Sequence, residues 1–191
     1  MAVRDTWALT THSDYDMHSF DGLVQHCVEF SLDALGQAQQ RVAEALETSS
    51  ATRLVKALQM IQLQKAISAV GMFSMFDAIL QDGLECTDGF REAGELLERD
   101  DEFTLKEHFY NLQLAINVLK HGRGRSYDAL VQKANELPFR IKLPGEYFFI
   151  EGDVSEVSTL VEVDDAFLRS CADVIREVSV ALRRAGHDFV T

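Results

Sequence analysis

Proline is scarce in this chain, and both prolines fall within one short segment. Pro138 and Pro144 are the two prolines among 191 residues. Because proline breaks the interior of a helix, the long stretches on either side of this segment can form helices of many turns. Apolar residues recur in these stretches at intervals of three and four, which is the spacing of one helix face. The sequence therefore predicts a mainly α-helical bundle.

The apolar spacing and the capping residues divide the bundle into helices. Ser19 is placed to cap the first helix and Asp164 or Asp165 the last, because their short side chains can accept hydrogen bonds from the first backbone N–H groups. We expect a polar lead-in at 1–18 and one helical-bundle domain at 19–191. The predicted helices span about 20–47, 51–81, 89–100, 102–120, 127–136 and 165–186.

The second predicted helix differs from the others. Its second half is apolar nearly all round, and it includes the run Met72, Phe73, Met75 and Phe76. Such a helix normally lies at the centre of a bundle or in a subunit interface. We therefore expect this run to be core rather than a cofactor site.

The periodicity changes after Pro138. Residues 139–143 alternate between apolar and charged, and residues 147–150 are rich in strand formers. A third strand could follow at 157–163. The sequence therefore predicts a small β-hairpin or three-stranded appendage near 139–163, inserted in the helical bundle.

The chain is acidic, but its charge is unevenly spread. It carries 18 basic and 31 acidic residues, a formal net charge of −13. A surface of this sign repels nucleic acid and anionic membranes over most of its area. Segment 120–142 is the exception, since its six cations and two anions give +4 and leave −17 on the rest. These cations either attract an anion locally or neutralise acidic neighbours in the fold; they are Lys120, Arg123, Arg125, Lys133, Arg140 and Lys142.

Cysteine usage predicts a reducing compartment. Cys27, Cys86 and Cys171 are odd in number and far apart, and no CxxC pair occurs. Such usage fits free thiols better than a disulfide framework. The N-terminus lacks the pattern of a signal peptide, and no uncharged apolar run is long enough to indicate a membrane span. We therefore expect a cytoplasmic protein without membrane contacts.

The strongest candidate for chemistry lies at the predicted end of the fourth helix. Asn117 and His121 are four residues apart, so they share one face of that helix. Imidazole exchanges protons near neutral pH, and an Asn amide can orient it or donate to an anionic oxygen. Lys120, Arg123 and Arg125 stand beside this pair and could stabilise charge on a phosphate.

The same residues also have a purely structural interpretation. A cation-capable residue in the last helical turn is favoured by the helix dipole, and glycine follows because the helix stops. On that interpretation His121 and Gly122 only terminate a helix. Tyr110, seven residues before Asn117 on the same face, would line the same groove if a ligand binds there.

The run Asn117-Val118-Leu119-Lys120-His121-Gly122 resembles the signature region of the HEPN superfamily. These are small helical-bundle proteins of prokaryotic defence and toxin–antitoxin systems, and many are metal-independent RNases. Their usual motif is an Arg, a polar residue that is often Asn, three further residues and a His. In this chain Ile116 stands at the position of the Arg.

The resemblance implies roles for the residues that match. His121 would be the acid/base or phosphate contact, Asn117 would position it, and Lys120, Arg123 and Arg125 would hold the scissile phosphate. It implies a homodimer whose paired motifs form a composite cleft that contacts RNA, with an antitoxin or another protein as a further partner. It implies no cofactor or metal. Without the Arg, the chain would be an atypical RNase or a degenerate RNA-contacting protein.

A second hypothesis is a non-enzymatic dimerising helical regulator or scaffold. The Ile at position 116 and the net charge of −13 favour it. Outside the helices, the N-terminal residues His12, Asp14, Asp16 and His18 alternate imidazoles and carboxylates. Their spacing matches no firm ligand template, so we expect a solvated tail and no metal site.

Overall fold

The structure is a computed structural model that describes residues 19–48, 51–146 and 157–187, and the predicted polar lead-in at 1–18 lies outside these ranges. The described chain is mainly helical. Its helices are α1 (Phe20–Thr48), α2 (Thr52–Gly83), α3 (Gly89–Arg99), α4 (Phe103–His121), α5 (Arg125–Gln132) and α6 (Asp165–Arg184), with a 3₁₀ turn at Ala134–Glu136. The predicted helical bundle is therefore confirmed.

Two of the predicted caps set the ends of long helices. The Ser19 Oγ accepts a hydrogen bond from the Gly22 backbone N–H at 3.3 Å, and the Asp164 Oδ1 accepts one from Phe167 at 2.7 Å. Each bond satisfies a backbone donor that the first helical turn leaves without an internal partner. Asp164 is thus the cap of α6, and Asp165 is its first helical residue.

The short helix α5 differs from its prediction. Gly124 occupies its N-cap position and makes no side-chain cap, so Ser126 lies inside the first turn instead of capping it. The helix ends at Gln132, and the chain continues as the 3₁₀ turn rather than as an α-helix to 136. Eight residues carry too few apolar repeats to set a helix boundary by periodicity alone.

The core lies around α6, which packs against α1, α2, α3 and α4. Ten residues of α6 are buried, among them the predicted inward-facing Cys171, Ile175 and Leu182. A second part of the core is aromatic, because rings from α2, α3 and α4 meet at centroid distances of 5.3 to 6.5 Å. These rings are Phe73, Phe76, Phe90 and Phe109.

The helix α2 is only half buried. Met72, Phe73 and Phe76 are in the core as predicted, whereas Met75 points to solvent. By length and composition alone α2 could cross a membrane, but 39% of its most apolar window is buried inside the bundle. Contacts with α1, α3, α4 and α6 give its inward face a packing role.

Two ion pairs each have one partner that is buried. The Arg183 guanidinium at the end of α6 donates two hydrogen bonds to the Asp21 carboxylate at the start of α1, at 2.8 and 3.1 Å. The Lys65 ammonium of α2 is buried and lies 2.7 Å from the carboxylate of Asp165. Both pairs join helices that are distant in sequence, so they help to fix how the helices pack.

The predicted β appendage is not confirmed within the described residues. Ile141 and Val161 form one isolated antiparallel bridge. Around it the Lys142 N–H donates to the Leu160 carbonyl at 2.8 Å and the Glu162 N–H donates to the Arg140 carbonyl at 3.0 Å. No regular strand extends this bridge in the part of the chain that the structure describes, and residues 147–156 lie outside it.

Candidate functional site

The helix α4 ends at the residue that carries the candidate imidazole. Gly122 follows His121 with φ 73° and ψ −141°, a backbone conformation that is essentially restricted to glycine. Its N–H donates to the Val118 carbonyl at 2.8 Å, which closes the last turn. The chain then turns away from α4, and Gly124, two residues after Gly122, is the N-cap of α5. The predicted helix end is confirmed, and it holds His121 at the tip of a rigid element.

Asn117 and His121 are presented to solvent from the same helix face. His121 is exposed and Asn117 is half-buried one turn earlier. Neither side chain makes a hydrogen bond to another residue within the described ranges, so the amide and both ring nitrogens are available to a ligand. The imidazole therefore does not face the hydrophobic interior, as it would if its only role were packing.

Three cations adjacent to this pair in the sequence have no acidic partner among the described residues. Lys120, Arg123 and Arg125 are exposed, and none of them forms a salt bridge to any described residue. Arg140 of the same basic segment behaves differently, since its guanidinium lies 3.5 Å from the Glu162 carboxylate. An acidic neighbour therefore neutralises Arg140. Lys120, Arg123 and Arg125 are not neutralised in this way by any described residue. We call Asn117, Lys120, His121, Arg123 and Arg125 the His121 patch.

Tyr127 is a member of this region that the sequence did not reveal. Its ring lies 5.7 Å from the Arg123 guanidinium, in a cation–π arrangement. Its hydroxyl donates to the Lys142 carbonyl at 2.6 Å, so the ring is fixed between α5 and the segment after it. Helical spacing could not have revealed this contact, because Arg123 precedes the N-cap Gly124 and lies outside α5.

The structure places Tyr110 away from the His121 patch. Seven residues of helix separate it from Asn117, a rise of about 10 Å. Its half-exposed ring lies 5.4 Å from the Lys133 ammonium and lines a groove between α3 and α4. Tyr110 therefore shares the helix face of Asn117 but belongs to a separate surface.

The position of the missing arginine is part of the core. Ile116 is 3% exposed and packs among the buried residues of α4. An arginine there would leave its guanidinium inside an apolar cluster, at a cost of several kcal/mol on the order expected for an unpaired buried ion. In this fold any guanidinium for the patch has to come from another position, and Arg123 and Arg125 are the exposed ones beside it.

The other candidate sites are less suited to catalysis or ligand binding. His108 shares a hydrogen bond of 3.0 Å with the Ser170 hydroxyl, which joins α4 to α6. It lines a groove of about 460 Å³ whose charged residues are of both signs. Within the described ranges no three His, Cys, Asp or Glu side chains lie close enough together to hold a metal ion.

The fold and the site together define a mainly α-helical bundle with an exposed imidazole and carboxamide inside a small cationic patch. Four grooves among the described residues are lined by side chains other than those of the patch. No protein-family model, curated protein or solved structure matches the chain.

Proposed function

We propose that this chain is a HEPN-like protein of a prokaryotic defence or toxin–antitoxin system that contacts RNA through the His121 patch. It acts as an atypical metal-independent RNase or, where catalysis is lost, as an RNA-contacting partner. One observation carries the proposal: within the described residues, three exposed cations close in sequence to the exposed imidazole have no acidic partner, on a chain whose net charge is −13. An acidic protein that keeps unpaired cations at one place has a local site for an anion.

The chemistry of the patch suits a phosphodiester. Lys120, Arg123 and Arg125 contact the phosphate oxygens, where charge-assisted hydrogen bonds are strong. The neutral imidazole of His121 accepts the proton of the substrate's 2′-hydroxyl, and the 2′-oxygen attacks phosphorus as the bond to the 5′-oxygen breaks. The 5′-oxygen takes a proton from water or from the imidazolium, which leaves a 2′,3′-cyclic phosphate and a 5′-hydroxyl. The amide of Asn117 orients the ring.

The small size of the patch favours a single strand over a duplex. A flexible strand can bring its backbone to a small group of cations, whereas a duplex needs a larger footprint over which the remaining acidic surface repels it. The Tyr127 ring holds the Arg123 guanidinium on this surface and limits its motion. We therefore place the phosphate between Arg123 and the tip of α4.

Cleavage of a labelled single-stranded RNA in the presence of EDTA tests the catalytic form. Wild-type protein should cleave the RNA, and His121→Ala should lower the rate by about 10²-fold or more, the usual contribution of general acid–base catalysis. His26→Ala is the matched control, because His26 is also an exposed helical histidine. Equal cleavage by wild type and His121→Ala would assign the activity to another site or to a contaminant.

Binding of the same RNA tests the degenerate form, in which no cleavage occurs. Fluorescence anisotropy should show that Arg123→Glu with Arg125→Glu abolishes binding, while the exposed control pair Arg41→Glu with Arg99→Glu, which changes net charge equally, binds nearly as wild type does. Three phosphate contacts predict a slope of roughly −2 for the logarithm of affinity against that of salt concentration. The proposal would be refuted if neither the wild-type protein nor the control variant bound the RNA.

The proposal includes a cytoplasmic location, a homodimer and an antitoxin or other protein partner. It also includes a small β appendage near 139–163, of which the Ile141–Val161 bridge would be one part. The second candidate function is a non-enzymatic dimerising regulator or scaffold. Exposed apolar side chains on α1 and α2, which RNA binding does not use, favour it.

A further inference from the structure

The outward face of α2 is apolar where an exposed helix is normally charged. Charged residues make up 26% of the chain, yet Lys65 and Asp77 are the only ones between 57 and 81. Both are engaged, because Lys65 is buried against Asp165 and the Asp77 carboxylate accepts a hydrogen bond from Gln81 at 2.8 Å. The large side chains that remain in water are Met60 (69% exposed), Leu63 (46%), Ile67 (54%) and Met75 (55%).

The two ends of this face carry opposite charges. Arg53 and Lys56 are exposed at the N-terminal end, and Asp82 is exposed at the C-terminal end. None of the three forms a salt bridge within the described residues. If two copies of α2 are laid antiparallel with the midpoint between residues 67 and 68, each Arg53 falls opposite the other copy's Asp82. In the same alignment each Met60 meets Met75.

We propose that two copies of this chain associate through the outward faces of α2, antiparallel about a twofold axis near Ile67. A twofold interface uses the same surface on both copies, so it must be complementary to itself. The face of α2 has this property, since Arg53 at one end meets Asp82 at the other and uncharged side chains meet in the middle. The inference gives the proposed homodimer a specific interface and does not depend on RNA binding by the His121 patch.

The centre of the face permits close contact. An added Cβ at Gly71 would meet no atom within 4 Å, and Ser74 and Ala78 extend the same face with small side chains. Small residues let two helices approach until their backbones are nearly in contact. In the proposed alignment Gly71 of one copy lies opposite Gln64 of the other, so the longer side chain fills the space above the glycine.

The available area is of the right order for a stable dimer. The face from Arg53 to Asp82 is about 43 Å long at a helical rise of about 1.5 Å, and at a width of about 10 Å it offers roughly 430 Å². The neighbouring helix α1 packs against α2 and also exposes Leu23 and Phe30. Stable interfaces bury about 800 Å² on each partner, and the face of α2 alone supplies roughly half of that area.

This dimer leaves each His121 patch open on its own copy. The Phe73 ring of α2 packs against Phe109 of α4, so the outward face of α2 points away from α4. His121 is exposed at the C-terminal end of α4. The two patches therefore do not form one composite cleft across the dimer axis, unlike the arrangement that the HEPN resemblance implies.

A lipid surface is a poorer match for the same face. Helices that lie in a membrane interface usually flank their apolar face with lysine and arginine, because the lipid headgroups are anionic. Here the bundle around α2 is strongly acidic and would be repelled. Another copy of the chain is acidic as well, but the paired charges at the ends of α2 offset that repulsion locally.

Sedimentation of Gly71→Glu over a concentration series tests the interface. The substitution meets open space in a single copy, so the fold should persist, but it places two carboxylates beside the twofold axis. We expect wild type to be a dimer and Gly71→Glu to dissociate on the order of a hundredfold more readily. Gly36→Glu is the matched control, because Gly36 is also a mid-helix glycine with no atom within 4 Å, and it should remain dimeric.

Charge reversal tests the antiparallel alignment itself. Arg53→Glu and Asp82→Lys should each weaken the dimer, and the double variant should restore it, because each reversed residue then meets a reversed partner. A double variant weaker than both single ones would overturn this alignment. A wild-type protein that is monomeric at all concentrations, or that binds neutral vesicles instead of a second copy, would overturn the dimer.

RNA binding separates this inference from the proposed function. Gly71→Glu should bind single-stranded RNA with unchanged affinity per chain, since the patch lies on another surface. Loss of RNA binding together with loss of the dimer would show that the two copies share one RNA-binding cleft and that the patches are not independent of the interface. Absence of RNA binding in wild type, with a dimer that responds to Gly71→Glu, would refute the proposed function and leave the interface intact.

Discussion

Two ion pairs join α1 to α6 with the same bonding but different burial. The Asp21 carboxylate accepts hydrogen bonds of 2.8 and 3.1 Å from Arg183, and its side chain is 2% exposed. The Glu29 carboxylate accepts bonds of 2.9 and 3.1 Å from Arg169, and its side chain is 54% exposed. Since chemical groups and helices match, a comparison of the two pairs isolates the effect of burial on stability.

Removing Asp21 should cost far more stability than removing Glu29. Asp21→Ala leaves the Arg183 guanidinium without this carboxylate, and breaking a fully buried pair costs about 3–5 kcal/mol. Because the Arg183 side chain is 32% exposed, water recovers part of that loss, and we expect about 2–3 kcal/mol. The thermal midpoint should then fall by about 4–12 °C. Glu29→Ala should leave it unchanged within error, since exposed pairs contribute little.

Urea denaturation followed by circular dichroism measures both losses as changes in the free energy of unfolding. Equal slopes against urea for wild type and variants are the control that the unfolded states are comparable. Similar losses for Asp21→Ala and Glu29→Ala would refute the argument, because burial would then not decide the strength of these pairs. A cycle with Arg183→Ala isolates the energy of the pair from other effects of each substitution.

Acid should remove the Asp21 contribution. Burial raises the pKa of the Asp21 carboxyl, but the hydrogen bonds and charge of Arg183 oppose it, and the net pKa lies below its ordinary value. A carboxylate with a lowered folded-state pKa stabilises the fold above its unfolded pKa, about 3.9, and this stabilisation is lost as pH falls through the folded value. The advantage of wild type over Asp21→Asn should shrink below about pH 4. An advantage that stays constant in acid would contradict the lowered pKa.

Changes elsewhere in the bundle have further expected outcomes. Gly89→Ala should lower the free energy of unfolding by about 2–3 kcal/mol in urea, because its Cβ would lie 2.6 Å from that of Leu80; a neutral effect would contradict this crowding. Tyr127→Phe should cost about 1 kcal/mol in the same assay through loss of one hydrogen bond, and an unchanged midpoint would show that the bond is absent. Exposed Cys27 should react with a thiol reagent in native protein, whereas Cys171, whose pKa burial raises, should react only after unfolding. Equal rates would refute that burial.

Helix positions were predictable where periodicity and a cap agree. The first and last helices are capped by Ser19 and Asp164, and at each of them a short polar side chain is followed by a long apolar stripe. In α5 the two signals separate, since Ser126 has the right chemistry but Gly124 precedes it and takes the N-cap position. Local sequence could not decide between them, because the choice depends on how the chain turns after α4.

The composition of the candidate site was visible in sequence, but its accessibility was not. The spacing of Asn117 and His121 establishes a shared helix face, whereas their exposure depends on how α4 packs against the rest of the bundle. Likewise, the sequence does not distinguish among the six cations of segment 120–142. The fold alone shows that Arg140 meets an acid while Arg123 lies over an aromatic ring. Partner choice is a tertiary property, which explains why spacing could not assign it.

A substitution in the sharp turn after α4 would disrupt the candidate site without destabilising the bundle. Gly122 adopts a backbone conformation that side chains with a Cβ rarely reach, yet no atom of the core lies near it. Replacement by a larger residue would re-aim the loop that carries Arg123 and leave the hydrophobic interior untouched. One codon change could therefore separate the arginines from His121 in a descendant that still folds, expresses and associates normally.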